Sequence, residues 1–335
     1  MKAIILLSGG LDSTIATQIM HREGLELFAV NFKTPFCLCD HRASAIVECG
    51  SFACNLANSL NIGFRVINAS EDFLKVLTNP KYGYGSNMNP CIDCRILFFR
   101  KSKELMQQVG ASFVITGEVL GQRPMSQFKK QMEIIETEAG LAGLVVRPLS
   151  AKLLPPTIPE KMGWVNRERL LDIAGRSRKR QIAIIKDFGV NDYPCSAGGC
   201  LLTDPGFARR VKDLLTNGNF DMENVNLLKI GRHFRLSATA KLIVGRNENE
   251  NNELLHAAKE TKYLFRPLGV KGPIALGTGI FNYHLILDAG RVVGRYCDLD
   301  DNKEAEIAYE RPSNNEKGAV TVAAMDRKEI AKIRI

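Results

Sequence analysis

The chain has 335 residues, a formal net charge of +9, and 45% hydrophobic against 24% charged residues. This is the balance of an ordinary soluble protein with a full core and about two domains. No apolar run approaches the ~20 residues of a membrane span, and the apolar N-terminal stretch is too short for a signal peptide, so a cytoplasmic protein without a membrane partner is expected. The basic excess points to a polyanionic partner, RNA first, against the plainer reading of a solvated basic face.

The first apolar run, Ala3 to Leu7, predicts a buried strand of a parallel sheet. Ser8-Gly9-Gly10 breaks it, and from Asp12 the spacing of Ile15, Ile19 and Met20 predicts a helix. Two glycines ahead of a helix N-terminus let the backbone approach an anion, above all a phosphate. The turn lacks the lysine of a Walker loop and the third glycine of the dinucleotide fingerprint. A second strand is expected at residues 25–32, a helix at 44–60 and a third strand at 64–69. An amphipathic helix follows from Cys94 to a C-capping Gly110, then strands at 111–118 and 143–149. Strands alternating with helices imply a doubly wound parallel sheet that binds ligands beyond the carboxyl ends of its strands. The opening loop, the CxxC turn and Thr116-Gly117-Glu118 lie near such ends.

A Pro-rich connection at 153–164 leads into a basic helix expected over 167–189, followed by turns over 191–205 and a helix at 205–215. Within it Arg176-Ser177-Arg178-Lys179-Arg180 reads either as a solvated face or as phosphate contacts. Beyond Asn217, short strands are expected at 241–246, 283–288 and 291–297, with "RNENENNE" as a polar loop. The division is thus a doubly wound α/β domain over 1–215 and a smaller α+β domain over 216–335.

Nine cysteines in a chain of this kind are not expected to form a disulfide framework, because the cytosol keeps thiols reduced. Cys91 and Cys94 form a CxxC, and Cys195 and Cys200 flank a Gly-rich turn. Cys37, Cys39 and His41, with Cys49 and Cys54 beyond them, could form a second metal site, but their spacing follows no metal-binding pattern, so the cysteines are read as packing residues and His41 as a surface residue. Cys297 is also read as packing.

The stretch Ser8-Gly9-Gly10-Leu11-Asp12-Ser13 resembles the pyrophosphate loop of the PP-loop ATPases, the adenine nucleotide alpha hydrolase-like fold, whose members cleave ATP between the α and β phosphates. The resemblance implies that Ser8, Gly9, Gly10 and Ser13 hold pyrophosphate and that Asp12 sits near Mg²⁺. Cys91 and Cys94, Thr116-Gly117-Glu118, Leu120-Gly121-Gln122 and Ser126-Gln127 resemble, in order, the catalytic domain of ThiI-like tRNA sulfurtransferases that carry a CxxC. That adds Gly117 and Gln122 as ATP-site residues, and "VVRPLSA" with "RLLDIAGR" extends the likeness over about the first 200 residues. The loop stands at residue 8, so the THUMP module of those enzymes is not expected before it, nor is there room for a rhodanese domain. "GRHFRLSATAKLIVGRNENENNELL" resembles instead the RNA-binding domain of the NFACT family.

The resemblance implies an ATP-dependent tRNA thiouridine synthase, in which a uridine oxygen is adenylated and then replaced by sulfur. Asp12, Cys94 and Cys200 would be catalytic. Three thiolates, Cys91, Cys94 and Cys200 with Cys195 in reserve, would carry a [4Fe-4S] cluster. A zinc on Cys91, Cys94, Cys195 and Cys200 is an alternative, as is a metal-free persulfide route through Cys94 and Cys200. A helix dipole at the CxxC is expected to lower its thiol pKa values. The partners would be tRNA and a sulfur donor, whether sulfide, a persulfide carrier or a sulfur-carrier protein, with a homodimer left open. The alternative functions are another PP-loop ligase, of the 7-cyano-7-deazaguanine synthase or NAD synthetase type, and a non-catalytic RNA-binding protein.

Overall fold

The computed structural model describes residues 1–37, 49–190, 199–259, 262–299 and 304–335, without the side chains of 49–51. The chain divides into two compact units, Met1–Asp204 and Pro205–Ile335.

The first unit is built on a five-stranded sheet in the order β3-β2-β1-β4-β5, every described pairing parallel. Its strands are β1 (Lys2–Leu6), β2 (Glu26–Lys33), β3 (Gly63–Asn68), β4 (Phe113–Thr116) and the two-residue β5 (Val145–Val146). Between them run helices α1 (Leu11–Arg22), α2 (Cys49–Ser59), α3 (Ser70–Thr78), α4 (Cys91–Val109) and α5 (Lys129–Ala139). β1, at the centre, reads Ala3-Ile4-Ile5-Leu6 with every residue buried, as a strand covered on both faces requires. One core layer gathers Ile5, Leu7, Ile15, Met20, Phe113 and Val146, and the other gathers Ile4, Val30, Ile96, Phe99, Val114 and Val145. The strand order reverses between β1 and β4, the place where an open α/β sheet leaves a crevice at its carboxyl edge. The loop after β1 and the loop after β4 are those of Ser8 to Ser13 and of Gly117 to Gln122.

The basic stretch after the Pro-rich connection is not one helix. A short helix α6 (Ile158–Lys161) and a 3₁₀ turn (Arg167–Arg169) come first, and α7 spans only Lys179–Asp187. Between them the backbone runs extended: Leu171 N–H donates to Pro148 O at 2.8 Å and Ile173 N–H to Leu149 O at 2.7 Å. Gly175, at φ +84°, then turns the chain toward α7, a conformation that suits glycine.

The second unit is a six-stranded antiparallel sheet in the order β11-β10-β8-β9-β7-β6. It begins with α8 (Pro205–Asn217) and α9 (Met222–Leu227), followed by β6 (Arg232–Arg235), β7 (Ala240–Val244), α10 (Glu248–Ala257), β8 (Tyr263–Leu268) and β9 (Ala275–Gly279). It closes with α11 (Tyr283–Gly294), β10 (Glu304–Arg311), β11 (Glu316–Ala323) and α12 (Arg327–Ile333). α8 lies in this unit and not the first. Its Asp213 is held by Arg235 of β6 at 2.6 and 2.8 Å and by Lys241 of β7 at 3.3 Å.

Two expectations for this unit are corrected. The strands expected at 283–288 and 291–297 are a single helix, α11, over most of their length. Its N-terminus is capped by Asn282, whose side chain accepts from Leu285 N–H at 3.0 Å. Ile286, Ala289, Val292 and Val293 form its buried stripe, and a Cβ at Gly290 would stand 3.0 Å from Val320 of β11. The polar run 246–253 is not a loop either. Asn247 accepts from Glu250 N–H at 3.0 Å and starts α10.

Candidate active site

β1 ends in the core, and Gly9 then takes φ +80° while Gly10 forms the extended N-cap of α1. No side chain caps that helix, so its first amide groups are left for a ligand. Ser8 and Ser13 hydroxyls lie 3.1 Å apart, and Ser13 Oγ also donates to Gly10 O at 2.9 Å. Gly117 faces this turn from the end of β4. A Cβ there would stand 2.5 Å from Ser13 N and 2.6 Å from Asp12 C, so glycine alone lets the two loops meet. Gln122 Nε2 donates to Asp12 Oδ2 at 2.6 Å, and Arg178, just ahead of α7, stands 3.9 Å from the same oxygen. Asp12 Oδ1 is buried with no partner. An ionised carboxylate with one oxygen fixed and the other orphaned fits a hard cation, and Mg²⁺ with a pyrophosphate on the α1 amides would satisfy both. Of the seven residues expected at the nucleotide, Ser8, Gly9, Gly10, Asp12, Ser13 and Gly117 thus lie at one edge of the sheet, and the seventh, Gln122, is bonded to Asp12.

The CxxC lies inside the first turn of α4, after Pro90 as N-cap, and not ahead of it. Asp93, buried, ties the incoming loop by accepting from Lys81 N–H at 3.0 Å and Tyr82 N–H at 3.1 Å. The segment with Cys200 is held beside this turn by two tethers and to the Phe36 segment by a third. Met88 N–H donates to Leu202 O at 3.1 Å, Asn87 Nδ2 to Thr203 O at 2.7 Å, and Leu201 N–H to Phe36 O at 2.9 Å. The last belongs to an antiparallel bridge that sets Cys37 opposite Cys200. Cys37, read from the sequence as a packing residue, thus stands beside the expected sulfur site. The signal missed was pairing of remote backbone, which spacing does not carry.

Burial pushes the Cys94 thiol far up and the Cys200 thiol up to about 12, with Cys200 raising Cys94, and Cys91 and Cys37 raising Cys200. Cys91 is raised as well, burial outweighing Arg123 and Arg95. The expected lowering by the helix dipole is therefore overturned, because desolvation is the larger effect. Cysteines are ligands of the right kind for a thiophilic metal, but they bind it as thiolates, so a metal at this site would have to supply the countercharge that burial withholds. Among the described residues, however, no three His, Cys, Asp or Glu side chains already stand in a ligating group. Cys195, Cys39 and His41 lie outside the described residues, as does the side chain of Cys49. Cys54 is a partly buried free cysteine whose Sγ accepts from Asn58 Nδ2 at 3.7 Å, and Cys297 packs on the core of the second unit.

The two halves of this edge are joined through Glu118, only 1% exposed. Its Oε1 meets Arg95 Nε at 3.1 Å and its Oε2 meets Arg147 Nε at 2.9 Å, while Arg147 also pairs with Glu136. Burial alone would raise this carboxyl, but Arg95 and Arg147 hold it below the usual range. Arg95 follows Cys94 directly, so one short segment, Thr116 to Gln122, holds the cysteine helix at one end and Asp12 at the other. Glu118 stood out in the sequence only as a motif landmark; Arg95 and Arg147 carried no signal. Of the basic run, Arg178 faces Asp12, whereas Arg180 is exposed and forms a surface ion pair with Asp172 at 2.6 Å.

In the second unit, Gly245-Arg246-Asn247 joins β7 to α10, and the Arg246 guanidinium is paired with Glu250. Beside it lies a cavity of about 280 Å³ lined in part by Arg232, Arg246, Asn251 and Tyr296. Arg232 sits over the Tyr296 ring at 4.5 Å. No helix among the described residues is long and apolar enough to cross a membrane.

Residues 1–152 match the family model described as thiamine biosynthesis protein (ThiI), and residues 231–334 match that of the NFACT protein RNA binding domain. A tRNA-specific 2-thiouridylase MnmA from Lachnoclostridium phytofermentans is 25% identical over 254 residues, covering 69% of this chain and 65% of its own. That from Caldicellulosiruptor saccharolyticus is 29% identical over 125 residues, 35% of either chain. A Staphylococcus aureus protein named "Probable tRNA sulfurtransferase" is 24% identical over 121 residues, 36% of this chain and 28% of its own. The chain thus spans at most 65% of the length of these relatives. Its residues 1–152 are thus similar to a ThiI domain, and its residues 231–334 to an NFACT RNA-binding domain.

Proposed function

We propose that the protein is an ATP-dependent tRNA thiouridine synthase. The observation that carries this reading is the segment Thr116 to Gln122, which ties the cysteine helix to the ATP loop through Glu118–Arg95 and Gln122–Asp12. Adenylation and sulfur transfer at one carbon require such proximity. A uridine carbonyl oxygen is a poor leaving group, so it first attacks the α phosphate of ATP. Pyrophosphate departs onto the amides of α1 and the hydroxyls of Ser8 and Ser13. Asp12, whose Oδ1 is buried without a partner, is the residue that would hold the Mg²⁺ of the nucleotide, and that ion would supply charge stabilisation for the leaving group. Sulfur then adds at the activated carbon and AMP leaves.

Cys91, Cys94 and Cys200 are the residues that would hold a [4Fe-4S] cluster, with Cys195 in reserve. Such a cluster, when bound by three thiolates, supplies an iron open to sulfide. Zinc and a metal-free persulfide route through Cys94 and Cys200 remain the alternatives. The second unit is assigned to tRNA binding, supported by the basic balance and the matched residues 231–334. A sulfur donor is a required partner, a homodimer is compatible with the reading, and the cytoplasm is the expected compartment.

Asp12→Ala is expected to abolish tRNA-dependent release of pyrophosphate and AMP while the protein stays folded; retention of wild-type rates would overturn the ATP site. In anaerobic protein, Cys91→Ala, Cys94→Ala and Cys200→Ala should each lose absorbance near ~400 nm and the thiolated nucleoside measured by mass spectrometry, and Cys195→Ala should keep both. Stoichiometric zinc without iron would refute the cluster.

A further inference from the structure

Gln181 lies on α7 and is fully buried, an unusual place for a side chain that carries no charge to pair. Its Nε2 donates to Gln122 Oε1 at 3.2 Å, and Gln122 Nε2 in turn donates to Asp12 Oδ2 at 2.6 Å. The direction of this chain is forced from one end. An ionised Asp12 only accepts, so Gln122 must present its NH₂ to it, which turns the Gln122 carbonyl toward α7. That carbonyl needs a donor, and Gln181 is the donor. Two orphans mark the ends of the relay: Gln181 Oε1 and Asp12 Oδ1 are both buried without a partner.

We infer that Gln181 is a positioning residue for the ATP loop: through Gln122 it fixes which oxygen of Asp12 is occupied and which is left for the magnesium of the nucleotide. This rests on the reading of Ser8 to Ser13 as the ATP site. Were Gln122 free to flip its amide, its carbonyl would face the carboxylate, repel it, and release the rotamer that leaves Oδ1 vacant. Arg178, which approaches Oδ2 at 3.9 Å, sits three residues before Gln181 at the start of α7. Arg123 also interacts electrostatically with both Asp12 and Arg178, as it does with Arg95. One helix thus delivers both the relay and a cation to the carboxylate, by a route independent of the phosphate-binding turn itself.

The test uses the full chain, with calorimetric titration of ATP at increasing Mg²⁺ and, in parallel, at EDTA excess. Gln181→Met keeps the length and removes the donor; Gln181→Glu keeps the shape and replaces the donor by an acceptor. Both should raise the Mg²⁺ needed for half-maximal ATP binding by about tenfold, the order typical of residues that orient a metal ligand, and leave the metal-free affinity unchanged. A buried carboxyl titrates high and, once protonated, donates, so Gln181→Glu should recover toward wild type at about pH 6 relative to about pH 8, while Gln181→Met should not. A role in packing alone predicts the same behaviour of either variant at both pH values. Wild-type Mg²⁺ dependence in both variants, or a defect in Gln181→Glu that ignores pH, would overturn the relay. Failure of the wild-type chain to bind ATP with Mg²⁺ would instead remove the ATP-site reading, and the relay with it.

Discussion

At the residue scale, the site depends on Glu118, a buried carboxylate between two guanidinium groups. Taking charges out of water is costly, and the cost is offset only while every member has its partner. Glu118→Gln leaves Arg95 without a countercharge and Arg147 with Glu136 alone. It should destabilise the first unit by about 3 kcal/mol, read from urea unfolding, since removing one member of a buried pair strands the other. A loss of a few tenths of a kcal/mol would mean that Arg95 finds water or another acceptor. Because the Glu118 carboxyl is held below its ordinary value of 4.5, its contribution is complete above that pH and is lost as pH falls below it.

At the scale of elements, β6 and β7 carry a second buried group, His233, only 1% exposed. The Ile230 carbonyl can only accept, so His233 Nε2 donates to it at 2.8 Å and the ring is neutral, with Nδ1 unpartnered. Burial first, then Lys241, Arg210 and Arg246, hold its pKa well below 6.5. The unfolded chain takes up a proton at 6.5 and the folded one does not. Stability is therefore complete above pH 6.5 and declines as pH falls below it, by up to about 1.4 kcal/mol per pH unit from this group. His233→Gln should flatten that part of the acid slope in urea unfolding measured across the range. An unchanged slope would show that the ring gains its proton in the folded state.

For the whole molecule, the division after Asp204 decides how RNA binding is tested. A cut at 216 would strip Asp213 of α8 from Arg235 and Lys241, its partners on β6 and β7, whereas a cut after Asp204 follows the division into units. Removing 205–335 should weaken tRNA binding and make its salt dependence shallower, because fewer phosphate contacts release fewer counterions. If the shortened protein binds tRNA as tightly at every salt concentration, recognition belongs to the first unit.

What the sequence by itself determined is whatever is written in local spacing. The apolar run Ala3 to Leu7, the double glycine and the helical period from Asp12 announce strand, anion loop and helix, because each is set by backbone sterics and burial within a dozen residues. Gly110 as the C-cap of α4, at φ +68°, is legible for the same reason. Residues 283–297 misled because their β-branched and aromatic composition fits a strand, while Asn282 as cap and Gly290 against β11 make a helix the better packed answer. Only the tertiary structure set Cys37 opposite Cys200, joined Arg95 to Glu118 and Arg147, and ran Gln181 through Gln122 to Asp12. These partners lie from 23 to 163 residues apart in the chain. Their contacts depend on which strands are neighbours and on what burial does to a polar group with no water to turn to, and neither is encoded in any single stretch.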